Sequence, residues 1–179
     1  MNKVIAIVGR TGTGKSTLTQ HLVELMDLEL VLQTTTRPQR INEVNGKDYN
    51  FVHPSKFDVA EMVVAEEFHA DFGDVKYGIT KKSVEKANKT KILVTSPKSA
   101  LDLRFWLGRE NCKIIYVNAP SVVLHERLIE RGDDPIEANR RINADTIDCL
   151  EFEFMADKYI HNIVLEQDLI EAINYIESL

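Results

Sequence analysis

Eight consecutive residues carry the clearest chemistry in this chain: Gly9, Arg10, Thr11, Gly12, Thr13, Gly14, Lys15 and Ser16. Their spacing fits G-x-x-x-x-G-K-[ST], a loop that cradles nucleotide phosphates. Gly12 and Gly14 let successive backbone N–H groups turn toward phosphate oxygens, at the positive end of a following helix dipole. Lys15 is spaced to reach the β- and γ-phosphates, and Ser16 to place its hydroxyl on a Mg2+ ion that bridges them. The apolar run Val4 to Val8 reads as a strand buried on both faces, and Thr17 to Met26 as a helix. Strand, loop and helix in that order are the setting the motif requires.

A second polar stretch, Gln33 to Lys47, holds Thr34, Thr35, Thr36, Arg37, Arg40 and Glu43, with Pro38 and Gly46 as breakers. Two arginines three apart can grip a phosphate as a fork of bidentate donors. The same residues also suit a solvated loop, and the stretch by itself leaves both readings open. Over the whole chain, 22 Lys and Arg stand against 28 Asp and Glu. The resulting net charge of −6 argues against a general nucleic-acid or membrane-surface binder. An anionic nucleotide must then meet a local cluster, drawn from Lys15, Arg37 and Arg40 early and Arg127, Arg131, Arg140 and Arg141 late.

The elements that must position these groups follow from the apolar pattern. At 179 residues one domain is expected. No apolar run approaches the roughly 20 residues that span a bilayer, and no signal-peptide pattern precedes the first strand. A soluble, cytoplasmic protein is expected. Cys112 and Cys149 lack metal-ligand spacing and read as small buried residues, and the five histidines, His69 among them, show no metal-binding pattern. Further strands are expected at Leu30–Leu32, Asp48–Val52, Lys91–Thr95, Lys113–Val117 and Tyr159–Leu165. Helices are expected from Pro54 to about Ala65, from Thr80 through Lys89, and from Ser96 to about Leu107. Others are expected from Pro120 to Arg131, from near Glu137, and from Asp168 to Leu179, where Ile170, Ile173 and Ile176 recur as core positions. A hairpin around Gly73 and Asp74 completes the pattern. Alternating strands and helices imply an α/β fold, a parallel sheet flanked by helices.

The run Thr35 to Val52, which reads T-T-R-x-x-R-x-x-E-x-x-G-x-D-Y-x-F-V, resembles the nucleoside-monophosphate-binding segment of the guanylate kinase family. The phosphate loop, Tyr77-Gly78, Arg127-Leu128, Arg131-Gly132 and Asp157-Lys158 near Asn162 extend the resemblance over nearly the whole chain. It implies a P-loop kinase core at 1–32, 90–128 and 146–179, an α+β monophosphate-binding insert at 33–89 and a short helical lid at 129–145. It also implies that Arg37, Arg40, Tyr49 and Tyr77 hold the acceptor phosphate and that Glu67, with Glu66 as alternative, meets the guanine N1 and N2 edge. Ser96 would lie at the acceptor site. Gly9 to Ser16, Thr17 and Asn162 would bind ATP, with Ser16 on Mg2+. Arg131 and Arg141, with Arg140 as neighbouring choice, would close from the lid. Lys15, Arg37, Arg131 and Arg141 would do the catalytic work.

Several departures from the family pattern cluster where the base is read. Gln33 replaces a small hydroxyl residue, Ile79 replaces a Ser or Thr that meets guanine O6, and Val94-Thr95-Ser96 replaces D-x-D. Asn42 replaces a glycine, and Ile163-Val164 replaces an acidic pair. The expected activity is transfer of the γ-phosphoryl of ATP to GMP or dGMP, by a monomer or homodimer. The alternatives are a kinase for another nucleotide or phosphorylated small molecule, and a non-catalytic module that binds phosphoprotein.

Overall fold

The computed structural model describes residues 3–179 apart from 42, 71, 72, 86, 87, 151 and 163. In chain order its elements are β1 (Val4–Val8), α1 (Lys15–Leu25), β2 (Leu28–Leu30), β3 (Thr34–Thr35), β4 (Asn50–Phe51), β5 (Met62–Ala70), β6 (Gly73–Thr80) and α2 (Lys81–Val84). They continue with β7 (Thr90–Val94), α3 (Pro97–Leu107), β8 (Cys112–Asn118), α4 (Ser121–Glu130), α5 (Pro135–Cys149), β9 (Lys158–His161) and α6 (Leu165–Glu177). A central sheet runs in the order β2-β7-β1-β8-β9, with every pairing parallel.

Side chains alternate across a strand, so β1 feeds two cores at once. Val4, Ala6 and Val8 pack on one face with Ala100 and Leu103 of α3. Ile5 and Ile7 pack on the other with Leu18 and Leu22 of α1 and Ala172 and Ile176 of α6. The middle strand of the sheet is therefore buried along its whole length. The Gly-rich loop leaves its C-terminal end, the place where parallel sheets open a ligand crevice. A third cluster, Ala119, Leu124, Leu128, Ala138 and Ile142, joins α4 to α5.

A second sheet, ordered β4-β3-β6-β5, falls wholly within residues 33–89. It differs from expectation in several elements. The helix from Pro54 to Ala65 is absent: 3-10 turns at Pro54–Lys56 and Val59–Glu61, capped by the side chains of His53 and Asp58, lead into β5. Met62, Val63 and Val64 suit a pleated ladder better than a helix, and β6 supplies a partner along nearly all of β5. Gly73 and Asp74 pair with Ala70 and His69, so they belong to the ladder itself. Thr80 caps α2 by accepting from the Ser83 N–H, yet α2 stops at Val84. Thr34 and Thr35, in the polar stretch from Gln33 to Lys47, form β3. In α6, Ile176 is buried while Ile170 is exposed, so the core-facing stripe lies one step round from the isoleucine spacing.

Candidate active site

The phosphate loop is shaped by its glycines and tied down from three sides. Gly12 and Gly14 have φ of 78° and 82°, a left-handed backbone that a side chain would strain. A Cβ on Gly14 would also strike the amide of Asn162. That amide donates to the Thr13 carbonyl, and Arg127 Nη2 donates to the Asn162 carbonyl at 3.0 Å. Arg127 Nη1 is buried with no acceptor among the described residues, facing the loop's last glycine. Lys15 Nζ donates to the carbonyls of Gly9 and Arg10, each at 2.7 Å. Burial lowers its pKa to about 8, with Asp145 acting in the opposite direction and Arg141 and Arg131 adding to the fall. Ser16 and Thr17 stand exposed in the first turn of α1.

The side chain of Arg10, within the loop, is taken up inside the protein. It is 8% exposed. It donates to Asn118 Oδ1 at 2.8 and 3.1 Å, the Ala119 carbonyl at 2.6 Å, Ser121 Oγ at 3.0 Å and Thr146 Oγ1 at 3.1 Å. Five donor hydrogens satisfied inside the protein leave this guanidinium no fork for phosphate. Its contribution to the loop is the backbone.

From α5, Arg141 Nη2 donates to Thr11 Oγ1 at 2.9 Å and Nη1 to Asp133 at 3.2 Å. Asp133 also accepts from Arg131 Nε at 2.9 Å, and that bond leads the fall of its carboxyl below the usual range. Burial, then the charges of Arg131 and Arg40, lower the pKa of Arg141, so these three guanidiniums lie within electrostatic reach. Arg140 instead pairs with Glu137 at 2.7 and 2.8 Å. Asp145, one turn beyond Arg141, accepts from the Thr11 N–H at 2.5 Å. No motif marks Asp145; only the 3.6-residue period from Arg141 could have placed it beside the loop.

Arg37 and Glu43 form a buried fork, with Nη1 to Oε2 at 2.9 Å and Nη2 to Oε1 at 2.7 Å. Burial opposes ionisation of both, and their mutual hydrogen bonds outweigh it, raising Arg37 and lowering Glu43. Arg37 Nε donates to the Tyr77 hydroxyl at 2.9 Å, and its guanidinium lies 5.4 Å from the Tyr49 ring centroid. Tyr49 and Tyr77 meet edge to face. Arg40 is exposed, with Nη1 4.0 Å from Glu43. Of the expected clamp, Arg40 thus has its donors turned to solvent while Arg37 is already paired.

The two glutamates expected as alternatives for the base edge lie on opposite faces of β5. β5 pairs Glu66 with Tyr77 and Glu67 with Lys76, and paired residues share a face. Glu66 therefore lies on the Tyr77 side, whereas Glu67 points to the opposite face, 3.8 Å from Lys76 Nζ. Glu66 Oε2 accepts from Ser96 Oγ at 2.5 Å and Ser99 Oγ at 2.6 Å. Ile79 is fully buried on the same face. Gln33 Nε2 donates to the Val94 carbonyl at 2.6 Å. Asn42 and Ile163 lie outside the described residues.

Among the described residues, no three His, Cys, Asp or Glu side chains gather into a metal site. Ser16 with phosphate oxygens and water suits Mg2+, which is commonly carried by substrate phosphates rather than by an all-protein cage. No helix among the described residues is long and apolar enough to cross a membrane.

Comparison with known proteins identifies the family. The guanylate kinase family pattern covers residues 1–179. The chain is 32% identical to the guanylate kinase of Protochlamydia amoebophila over 94% of its own length and 84% of the relative's. It is 35% identical to that of Helicobacter pylori, over 85% and 77%. The crystal structure of guanylate kinase from Anaplasma phagocytophilum superposes with a TM-score of 0.76 at 22% identity, covering 99% of this chain and 85% of that one. The chain belongs to the guanylate kinase family and is a nucleoside monophosphate kinase.

Proposed function

We propose that this kinase transfers the γ-phosphoryl of ATP to GMP or dGMP, with a narrower margin over other monophosphates than its family's pattern would give. The observation that carries the base assignment is the Glu66 carboxylate, held on the same sheet face as Tyr77. Its free oxygen can accept from guanine N1–H and N2–H2, while the N1 acceptor of adenine would be repelled. Ile79 offers no donor to guanine O6, and Val94 offers only a carbonyl that Gln33 already occupies. A site lacking one polar partner loses discrimination.

The core, insert and lid are assigned to 1–32 with 90–128 and 146–179, to 33–89, and to 129–145. The loop from Gly9 to Ser16 and the amide-bearing Asn162 would hold ATP. Ser16 would hold a Mg2+ ion carried with ATP, which would supply charge neutralisation at the phosphates. The acceptor oxygen is already ionised, so no general base is required. As it bonds to the γ-phosphorus, the bond to the β–γ bridging oxygen breaks and ADP leaves. Lys15, Arg141 and Arg131 would face the developing charge, and Arg37, Arg40, Tyr49 and Tyr77 would hold the acceptor phosphate. Arg37 is neutralised by Glu43 but backs this surface with a fixed guanidinium, leaving the exposed Arg40 to make the first contact. We assign the reaction to the cytoplasm, where ATP and its acceptor are met.

Steady-state kcat/KM over all ribo- and deoxyribonucleoside monophosphates tests this reading. GMP or dGMP should lead. Leadership by AMP or a pyrimidine, or ATP binding without turnover of any monophosphate, overturns it.

A further inference from the structure

Ser99 sits at the third position of α3, 3% exposed, in no motif of the chain. Its hydroxyl donates to Glu66 Oε2 at 2.6 Å, and Ser96 Oγ donates to the same oxygen at 2.5 Å. Ser96 Oγ in turn accepts the Ser99 N–H at 3.0 Å, closing a ring of hydrogen bonds at the start of α3. Both donors fall on one carboxylate oxygen, and Oε1 accepts no hydrogen bond among the described residues. A carboxylate gripped at one oxygen has its rotation about the terminal bond fixed, so the other oxygen points in one direction.

We propose that Ser99 is a positioning residue for acceptor specificity: with Ser96 it aims Glu66 Oε1 at a base that presents adjacent N–H donors. This rests on the reading of Glu66 as the base-contacting group. The grip explains how one glutamate, on a strand edge away from the central sheet, can discriminate between bases without the neighbouring carboxylates that Val94 and Ser96 displace. A charge-assisted hydrogen bond realised only when the carboxylate is correctly turned is worth about tenfold or more in affinity.

The experiment compares Ser99→Ala with the parent for GMP, AMP and ATP, together with thermal unfolding. The expected result is a roughly tenfold rise in KM for GMP, with kcat and the KM for ATP within twofold and the GMP-to-AMP ratio of kcat/KM reduced. Ser99→Thr, which keeps the hydroxyl, should restore the ratio. Ser99→Cys, close in volume and a weak donor, gives the same reading if the alanine variant does not fold. An unchanged GMP KM in a folded Ser99→Ala or Ser99→Cys variant overturns the proposal, as does an equal rise for GMP and ATP, which marks a purely structural role. Glu66→Gln separates the two levels: if GMP selectivity survives that change, Glu66 does not read the base and the underlying reading fails instead.

Discussion

Lys15 illustrates how one residue can carry both a fold constraint and a chemical one. Held against two backbone carbonyls, its ammonium is poorly hydrated, and burial brings its pKa to about 8. In the empty enzyme it is therefore partly neutral at pH 8, and polyphosphate beside it favours the charged form. ATP binding near pH 8 should take up protons, and affinity should fall as pH rises from 7 to 9. Calorimetry in two buffers of different ionisation enthalpy measures the uptake, which Lys15→Ala should abolish; equal heats in both buffers for the parent would refute the assignment. The sign for folding is the reverse of a salt-bridged lysine. Between pH 8 and the ordinary 10.5 the unfolded chain binds more protons, so this group's contribution to stability rises with pH across that window. The place of Lys15 in its loop is legible in the sequence because the motif is local and contiguous. Which of Glu66 and Glu67 shares a face with Tyr77 is not, because a strand reverses its face at every residue and the register shifts between Met62 and Val64. Ser99 is invisible there for a related reason: its partner is 33 residues away in the chain.

Elements are legible where they are buried on both sides. β1, β7 and β8 announce themselves as apolar runs because helices cover both of their faces. The segment after Pro54 misleads because two short capped turns imitate a helix start, and the pairing that claims Met62 onward comes from β6, beyond local reach. Packing between elements is also where the tightest tolerance lies. Gly9 joins β1 to the loop, and a Cβ there would run into the backbone carbonyl of Val117 on the neighbouring β8. Backbone cannot step aside as a side chain can. Gly9→Ala should therefore cost about 3 kcal/mol or more, at the upper end of overpacking effects. Urea denaturation monitored by circular dichroism measures this, and a loss below about 1 kcal/mol would show that β1 and β8 have slack there.

At the scale of the whole molecule, charge is distributed against the average. The chain carries −6 overall, yet Arg131 and Arg141 act electrostatically on Lys15, and Arg131 and Arg40 on Arg141. Such a patch attracts nucleotides in a field that salt screens over about 10 Å at 0.1 M. We expect kcat/KM for the acceptor to fall severalfold between about 0.02 and 0.2 M ionic strength with kcat little changed. A flat profile in stopped-flow binding would mean that association is not steered. Arg10 also constrains α5 mechanically. Because its guanidinium rivets Thr146 to the ends of β8 and α4, α5 is pinned at a point five residues beyond Arg141. Five residues of helix amount to about 7.5 Å. We infer that any swing of Arg141 about that pin would have a short lever arm, bounded by that length rather than by the length of the helix.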